Sequence, residues 1–463
     1  MNEVNKKIIT RFPPSPTGGF HVGSARTAIF NYLFAKQHGG IMLLRFEDTD
    51  KERSKREYEK DITGALLWLG IEYEGGLRQS ERTALYSSYI EKLIDSGSAY
   101  ISDESGKSEN TLNKRDTVVR FKNPNIKITF HDLIHGDISF DTTELGDFVI
   151  AKSFDEPLYH LAVVVDDFDM GVTHIIRGDD HISNTPRQIL IQQAIGAPMP
   201  VYAHIPLILG PDRSKLSKRH GAKSTLEYKK DGITAEGMFN YLALLGWNPG
   251  DEREIFTKDE LMKTFDIGKV QKSGAIFNPE KLLWINKLHI EKMDEHAFIE
   301  MAKQFLPEEI NTLPQFDENR LRRVLINIKE RVSSFGDIKA FADAGELEYY
   351  FDTPGYHKES LMWKPASSAD MDEKDILKTK SHLEHIRNVI SVLEEDNFSK
   401  ETTKALIWNY AEQEGKGFVL WPFRYALSGV DRSPDPFTLA EILGRTETLS
   451  RLTLAIKKIS EKS

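Results

Sequence analysis

Residues 8–46 leave this chain few ways to fold. Ile8-Ile9-Thr10-Arg11-Phe12 reads as a short buried strand, Pro13 to Gly19 as a loop, and Ser24–His38 as a helix. Ala25, Ile29, Leu33 and Phe34 recur at helical spacing, Gly39-Gly40 stops the helix, and Ile41–Phe46 is the next strand. Strand, covering helix and second strand with so short a connection make a βαβ unit, so the two strands lie parallel.

The same alternation carries on to about residue 240. A helical pair over Glu57–Leu69 and Arg82–Ser96 follows, and the pattern resumes with strands at Leu161–Val165, Thr173–Arg177 and Ile205–Leu209 and a helix over Thr185–Ile195. Between them, Val118–Lys122, Ile126–Phe130, Ile138–Phe140 and Phe148–Ala151 alternate apolar and polar residues between turn signals, which predicts an inserted β-rich segment. After residue 240 strands become scarce and helices dominate, among them Arg320–Lys329, Asp375–Leu393, Lys400–Gln413, Thr438–Ile442 and Thr446–Ile459. The expected fold is α/β then all-α: a Rossmann-type parallel sheet split by an inserted β-rich domain, followed by a helical half.

With 463 residues, 40% hydrophobic and 29% charged, the chain has ordinary globular composition and enough length for about three domains. It has no cysteine, which removes disulfides, thiolate nucleophiles and Cys-based zinc sites together. The start Met1-Asn2-Glu3-Val4-Asn5-Lys6-Lys7 lacks the apolar core of a signal peptide, and no apolar run approaches the ~18–20 residues that cross a bilayer. A cytoplasmic location without membrane contact is therefore expected. The net charge of −10 argues against a general nucleic-acid binder but leaves room for local basic faces.

Two loops carry the chemistry. Between the first strand and its helix lies Arg11-Phe-Pro-Pro-Ser-Pro-Thr-Gly-Gly-Phe-His-Val-Gly-Ser24, at the carboxyl edge of the sheet where open α/β folds bind ligands. The helix N-terminus there favours phosphate, His21 supplies a donor for a phosphate oxygen, and Gly23 permits close approach of a purine. Late in the same split sheet, Ser214-Lys215-Leu216-Ser217-Lys218-Arg219-His220-Gly221 forms a cationic loop able to neutralise charge on departing pyrophosphate. Either loop alone is a weak signal; the ordered pair is improbable by chance.

The pair, written HVGS and KLSKR, resembles the HIGH and KMSKS signatures of class I aminoacyl-tRNA synthetases. RFPPSPTG, LRFEDTDKERS (44–54), RQSER (78–82), YHLAVVVDDFDMGVTHIIRG (159–178), NTPRQ (184–188) and GWNPGDEREIFT (246–257) resemble bacterial glutamyl-tRNA synthetases in particular. The likeness is dense over residues 8–290 and continues more thinly in LRRVLINIKERV (321–332) and FRYALSG (423–429). The chain departs from the family pattern at Ser24, Val163 and Asp179, and carries Tyr100-Ile101-Ser102-Asp103 where some relatives hold zinc, so no zinc is expected.

This resemblance implies activation of L-glutamate with ATP and Mg²⁺, then transfer to the 3′ end of tRNA(Glu), by a protein expected to be a monomer. His21, Lys215 and Lys218 fall at catalytic positions, and Gly23, Asp180 and the Ile208 backbone join them at the ATP. Arg11, Pro13, Ser15, Glu47, Tyr159 and Arg177 fall at glutamate positions, Arg177 facing the side-chain carboxylate and Glu47 suiting the ammonium. Arg53 resembles a contact to the acceptor end and Arg331 a family position that reads the anticodon; Arg323 is a tRNA-binding candidate through the basic cluster of Arg320, Arg322, Arg323, Lys329 and Arg331. Spacing also puts Arg320, Arg323 and Asn327 on one helix face. The implied division is 1–99 and 158–235 for the catalytic halves, 100–157 for an acceptor-end insertion, 236–300 for stem contact, and 301–378 and 379–463 for two helical anticodon domains. A glutaminyl enzyme, a truncated tRNA-modifying relative, a small-molecule nucleotidylyltransferase and a non-catalytic RNA-binding paralogue share parts of these motifs. The helical C-terminal half and the retained His21 and lysines favour the glutamyl enzyme.

Overall fold

A computed structural model describes residues 7–104, 117–217, 223–363 and 373–461. The chain forms two compact units, Met1–His289 and Ile290–Ser463.

The first unit begins with β1 (Ile9–Phe12), α1 (Val22–Gln37), β2 (Ile41–Phe46), α2 (Arg56–Trp68), β3 (Glu74–Arg78) and α3 (Thr83–Asp95). Then come β4 (Ala99–Asp103), β5 (Thr117–Phe121), β6 (Lys127–Asp132), β7 (Gly136–Asp141), β8 (Phe148–Ser153) and β9 (Glu156–Pro157). It closes with α4 (Tyr159–Asp169), β10 (His174–Gly178), α5 (Thr185–Ala194), β11 (Val201–Ile205), β12 (Ile208–Leu209), α6 (Thr225–Lys230), α7 (Ala235–Leu244), α8 (Lys258–Thr264), β13 (Ala275–Ile276) and α9 (Pro279–Lys292), within which the division between units falls.

β1 pairs in parallel with β2, and β2 with β3; β10 pairs in parallel with β11. The Thr173 amide donates to the Ile9 carbonyl at 2.9 Å and the Ile9 amide to the Thr173 hydroxyl at 2.9 Å, which stitches the start of β10 to β1. Asn31 of α1 straps the same seam, donating to the Ile176 carbonyl at 2.9 Å. α1 is buried along nearly its whole length because it lies between the parallel strands and α7 and α8, so its apolar residues run around the helix.

Three sequence expectations change here. Leu161–Val165 is not a strand: it is the middle of α4, whose residues Leu161–Asp167 are all buried. A continuous apolar run fits a helix buried on every side as well as a strand, and here the eleven-residue length decides. Ile205–Leu209 is not one strand either. β11 ends at Ile205, Pro206 intervenes, and β12 turns away to pair with β13. The inserted β-rich segment is shared between two sheets: β4, β5, β8 and β9 form an antiparallel sheet of their own, whereas the β6–β7 hairpin joins the edge of β11 through Tyr202 and Asp132.

The second unit consists, among its described residues, of α10 (Glu295–Lys303), α11 (Glu318–Ile328), α12 (Gly336–Asp343), α13 (Glu373–Ser391), α14 (Lys400–Glu414), α15 (Lys416–Ser428), α16 (Pro436–Leu443) and α17 (Arg445–Ser460), with short 3₁₀ turns. Its core joins Leu321, Val324 and Leu325 of α11 to Leu383 and Ile386 of α13, Phe423 of α15 and Leu452 of α17. The FRYALSG stretch ends α15, where Gly429 adopts φ 71°, and a Cβ there would stand 2.9 Å from that of Pro354. Arg451 is buried and donates to the Tyr349, Leu427 and Asp352 carbonyls, so this basic residue ties the helices together.

Candidate active site

The chain leaves β1 for β2 on one side and β10 for β11 on the other, so the sheet order reverses between β1 and β10. Open α/β sheets bind ligands in the crevice at the carboxyl ends of such strands. A cleft of about 950 Å³ opens there. Arg11, Pro13, Ser15, His21, Gly23, Glu47, Tyr159, Arg177, Asp180, Ile208 and Lys215 all line it, although they come from stretches far apart in the chain. Lys218 lies outside the described residues.

One end of the cleft is built on buried arginines. Arg11 directs Nε at Asp167 (3.3 Å), and its buried Nη1 has no hydrogen-bond partner. Arg45, fully buried behind it, donates to Asp167 at 2.7 Å and to Glu47 at 3.0 Å, and lies 3.6 Å from Asp166. Burial works against ionising Asp167, but Arg11 and Arg45 outweigh it and hold the carboxyl below the usual range. Burial dominates at Glu47 and pushes its carboxyl up despite Arg45, so an arriving ammonium would favour its ionised form. Arg177 differs from both other arginines. It donates Nε to His204 at 3.2 Å and Nη2 to Thr185 at 2.8 Å, while Nη1 is buried without a partner. Among the described residues no carboxylate is paired with it, so its charge faces the cleft uncompensated.

The other end is built on the start of α1. His21 is the N-cap, its Nδ1 accepting the Ser24 amide at 3.3 Å, which leaves the proton on Nε2. Burial first and Lys215 second lower the imidazole pKa against Asp180, which favours the neutral ring, and its Nε2 lies 3.3 Å from the Ser24 hydroxyl. A Cβ on Gly23 would sit 3.1 Å from this ring, which explains the glycine as directly as the approach of a purine does. Beyond β12 the chain folds back, the Leu216 amide donating to the Ile208 carbonyl at 2.9 Å. That turn brings Lys215 within 3.1 Å of Asp180. Burial would raise the Asp180 pKa, but the Lys215 ammonium keeps it below the usual range.

The sequence singled out none of Asp61, His181, Asp167, Thr185 or His204. Asp61 accepts the Phe20 amide at 2.7 Å and steadies the loop; His181 meets the Tyr159 hydroxyl at 3.0 Å. Asp167 stood in a stretch quoted for its resemblance, where an acid within an apolar run was the available signal. Val163, within α4, is packed in the core and does not line the cleft.

The basic residues of the second unit are not the shared face that their spacing suggested. Arg320 turns inward to the Tyr350 carbonyl (2.9 Å), Arg323 donates Nε to the Ile442 carbonyl (2.9 Å), and Lys329 reaches the Met293 carbonyl. Arg331 is exposed, paired with Glu346 and stacked 4.4 Å over Phe341. In the first unit Arg53 is exposed and paired with Asp50 at 2.6 Å. Among the described residues no three His, Asp or Glu side chains group to hold a metal ion, and no helix is long and apolar enough to cross a membrane.

A helix N-terminus open to the cleft, a chain folded back at Lys215 and a cation-lined pocket meet at one switch point, the arrangement of a class I aminoacyl-tRNA synthetase catalytic domain. Residues 7–115 and 101–284 match the family described as tRNA synthetases class I (E and Q), catalytic domain, and residues 297–456 match an anticodon binding domain. Similarity then extends end to end. The chain is 40% identical to a glutamate–tRNA ligase of Aquifex aeolicus, over 98% of this chain and 100% of that protein. It is 38% identical to that of Desulfosudis oleivorans, over 99% and 100%. The solved structure of a glutamate tRNA ligase from Elizabethkingia meningosepticum, in complex with its amino acid, is 30% identical with a TM-score of 0.83, covering 98% of this chain and 100% of that one. The chain belongs to the glutamate–tRNA ligase family.

Proposed function

We infer that this chain is a ligase that activates L-glutamate with ATP and esterifies it to the 3′ end of its tRNA. Arg177 carries the reading: a buried guanidinium whose Nη1 is unpartnered, with no carboxylate paired to it among the described residues, is suited to a substrate carboxylate. Arg11 helps hold the amino acid, Glu47 receives its ammonium, and Tyr159, Pro13 and Ser15 wall the pocket. His21, Gly23, Asp180 and the Ile208 backbone hold ATP. The glutamate α-carboxylate is itself the nucleophile. It attacks the α-phosphorus, the bond to the bridging oxygen breaks, and pyrophosphate leaves with the electron pair. No side chain has to become covalently bound; His21, Lys215 and Lys218 contribute by donating to phosphate oxygens as their charge builds. A ribose hydroxyl of the tRNA end then attacks the carbonyl carbon and AMP departs.

Mg²⁺ would arrive with the nucleotide and be held mainly by phosphate oxygens and water, which fits a cleft whose Asp180 is already engaged by Lys215. Arg53 is assigned to the acceptor end and Arg331, with Arg323, to the anticodon region. The six-part division, a monomeric state and a cytoplasmic location belong to the same proposal. The test is pyrophosphate exchange and aminoacylation with glutamate and with glutamine, each with and without tRNA. Glutamate-dependent charging supports the reading; charging with glutamine alone, or exchange with no amino acid specificity, refutes it.

A further inference from the structure

Of the two arginines assigned to glutamate, Arg11 is positioned by a carboxylate and Arg177 by neutral groups, and those groups lead out of the pocket. His204 on β11 is fully buried, as is Asp132 at the end of β6. The His204 Nδ1 lies 2.7 Å from Asp132 Oδ2, and its Nε2 lies 3.2 Å from the Nε of Arg177. A carboxylate can only accept and a guanidinium can only donate. The imidazole between them is therefore the neutral tautomer with its proton on Nδ1 and its lone pair on Nε2. Burial, with Arg177 beside it, keeps the ring below its ordinary pKa against the pull of Asp132. Asp132 is itself locked. Its Oδ1 accepts the Ile134 and His135 amides at 2.9 Å each, and its Oδ2 also accepts the His204 amide at 3.0 Å.

We propose that Asp132 and His204 form a positioning relay that aims Arg177 at the side-chain carboxylate of glutamate and leaves its charge uncompensated until that carboxylate arrives. The inference rests on the assignment of Arg177 to the glutamate side chain. Its logic is that of polarity. A carboxylate in place of His204 would position the guanidinium equally well but would neutralise it in advance, weakening the preference for a charged substrate over its amide. A neutral acceptor, fixed in tautomer by a carboxylate one residue removed, fixes the direction of Nη1 and keeps the full charge for the ligand. Thr185 serves the same end, its hydroxyl accepting Nη2 at 2.8 Å while lying 3.1 Å from His204 Nε2. The relay also gives the β6–β7 hairpin a chemical role in the amino acid pocket, through Asp132 and the turn amides that hold it.

The decisive comparison is His204→Asn against His204→Gln. The asparagine amide takes the place of Nδ1 and reaches Asp132 but falls short of Arg177. The glutamine amide can donate to Asp132 and accept from Arg177 together. His204→Asn should raise KM for glutamate about ten- to a hundredfold and narrow the preference for glutamate over glutamine, with KM for ATP changed less than about twofold. His204→Gln should recover most of that loss. Asp132→Asn places an amide N–H₂ against Nδ1, so the imidazole must move its proton to Nε2 and present a donor to a donor, the same inversion that disables a catalytic triad. ¹⁵N resonances of His204 should show Nδ1 protonated in the wild-type protein and Nε2 protonated in Asp132→Asn, a readout that needs no activity. Equal loss in the two His204 variants, equal changes in the KM values of glutamate and ATP, or an Nε2-protonated wild-type ring would overturn the relay. Arg177→Gln, measured alongside, separates the two levels. If it abolishes discrimination while His204→Asn leaves it intact, the relay fails and the pocket assignment stands. If Arg177→Gln itself leaves discrimination intact, the pocket assignment fails and the relay falls with it.

Discussion

Asp167→Asn should destabilise the first unit by more than any exposed charge change in the chain. The carboxylate is 5% exposed and lies 3.3 Å from Arg11 Nε and 2.7 Å from Arg45 Nη1. Arg45 would keep Glu47 at 3.0 Å and Asp166 at 3.6 Å, whereas Arg11 would lose the carboxylate it is paired with. Removing one partner of a buried ion pair costs about 3–5 kcal/mol because the other charge stays buried. For a unit of this size that corresponds to a fall of roughly 5–8 °C in its melting temperature. The sign with pH follows from the carboxyl being held below its usual range in the fold. Its contribution is complete above the unfolded value near pH ~4 and is lost as pH falls through the lower folded value. Calorimetry of wild type and variant should therefore show a constant gap near neutral pH that closes in acid. A fall of less than about 1 kcal/mol, or a gap unchanged down to pH ~2, would refute the ascription of stability to this charge cluster.

Gly23→Ala should slow pyrophosphate exchange by roughly tenfold, because a Cβ 3.1 Å from the His21 ring displaces the donor from its phosphate. Its stability should hold or rise by up to about 1 kcal/mol, alanine being the better helix former; unchanged turnover would show that His21 tolerates the shift. Arg331→Ala should weaken tRNA binding, read as KM for tRNA, and leave glutamate exchange at saturating tRNA unchanged; equal loss in both would place Arg331 among structural residues. Metal analysis of the purified chain should find no stoichiometric zinc, and one tightly held zinc per chain would overturn that expectation.

The parts legible in the sequence were those set by local periodicity and by loops that open helices. α1 was readable because its apolar positions repeat at helical spacing and two glycines close it. His21, Gly23 and Lys215 were readable because HVGS and KLSKR are contiguous in the chain, and Arg11, Glu47, Tyr159, Arg177 and Asp180 because they stand in stretches that resemble the family. Where burial is complete, periodicity is silent. α4 presents apolar residues on every side, so Leu161–Val165 looked like a strand. Charge spacing likewise says which residues share a helix face but not whether a guanidinium finds a carbonyl to donate to, which is what turned Arg320 inward. The relay behind Arg177 joins residues 27 and 72 positions apart. No local pattern marks Asp132 or His204, since their partnership exists only once the β6–β7 hairpin reaches β11.

Substrate choice tests the account most directly. Glutamate and glutamine are nearly isosteric, so only charge at the end of the side chain separates them. A guanidinium facing a carboxylate gains about 1.5–3 kcal/mol as a charge-assisted hydrogen bond, and facing an amide it loses the counter-charge and meets N–H donors instead. The measurement is kcat/KM for glutamate, inhibition by glutamine and KM for ATP in wild type and in Arg177→Gln. The preference for glutamate over glutamine should drop by a factor of about ten to a hundred while KM for ATP stays close to wild type. A variant that still prefers glutamate by the wild-type ratio contradicts this and shifts the specificity role to Arg11.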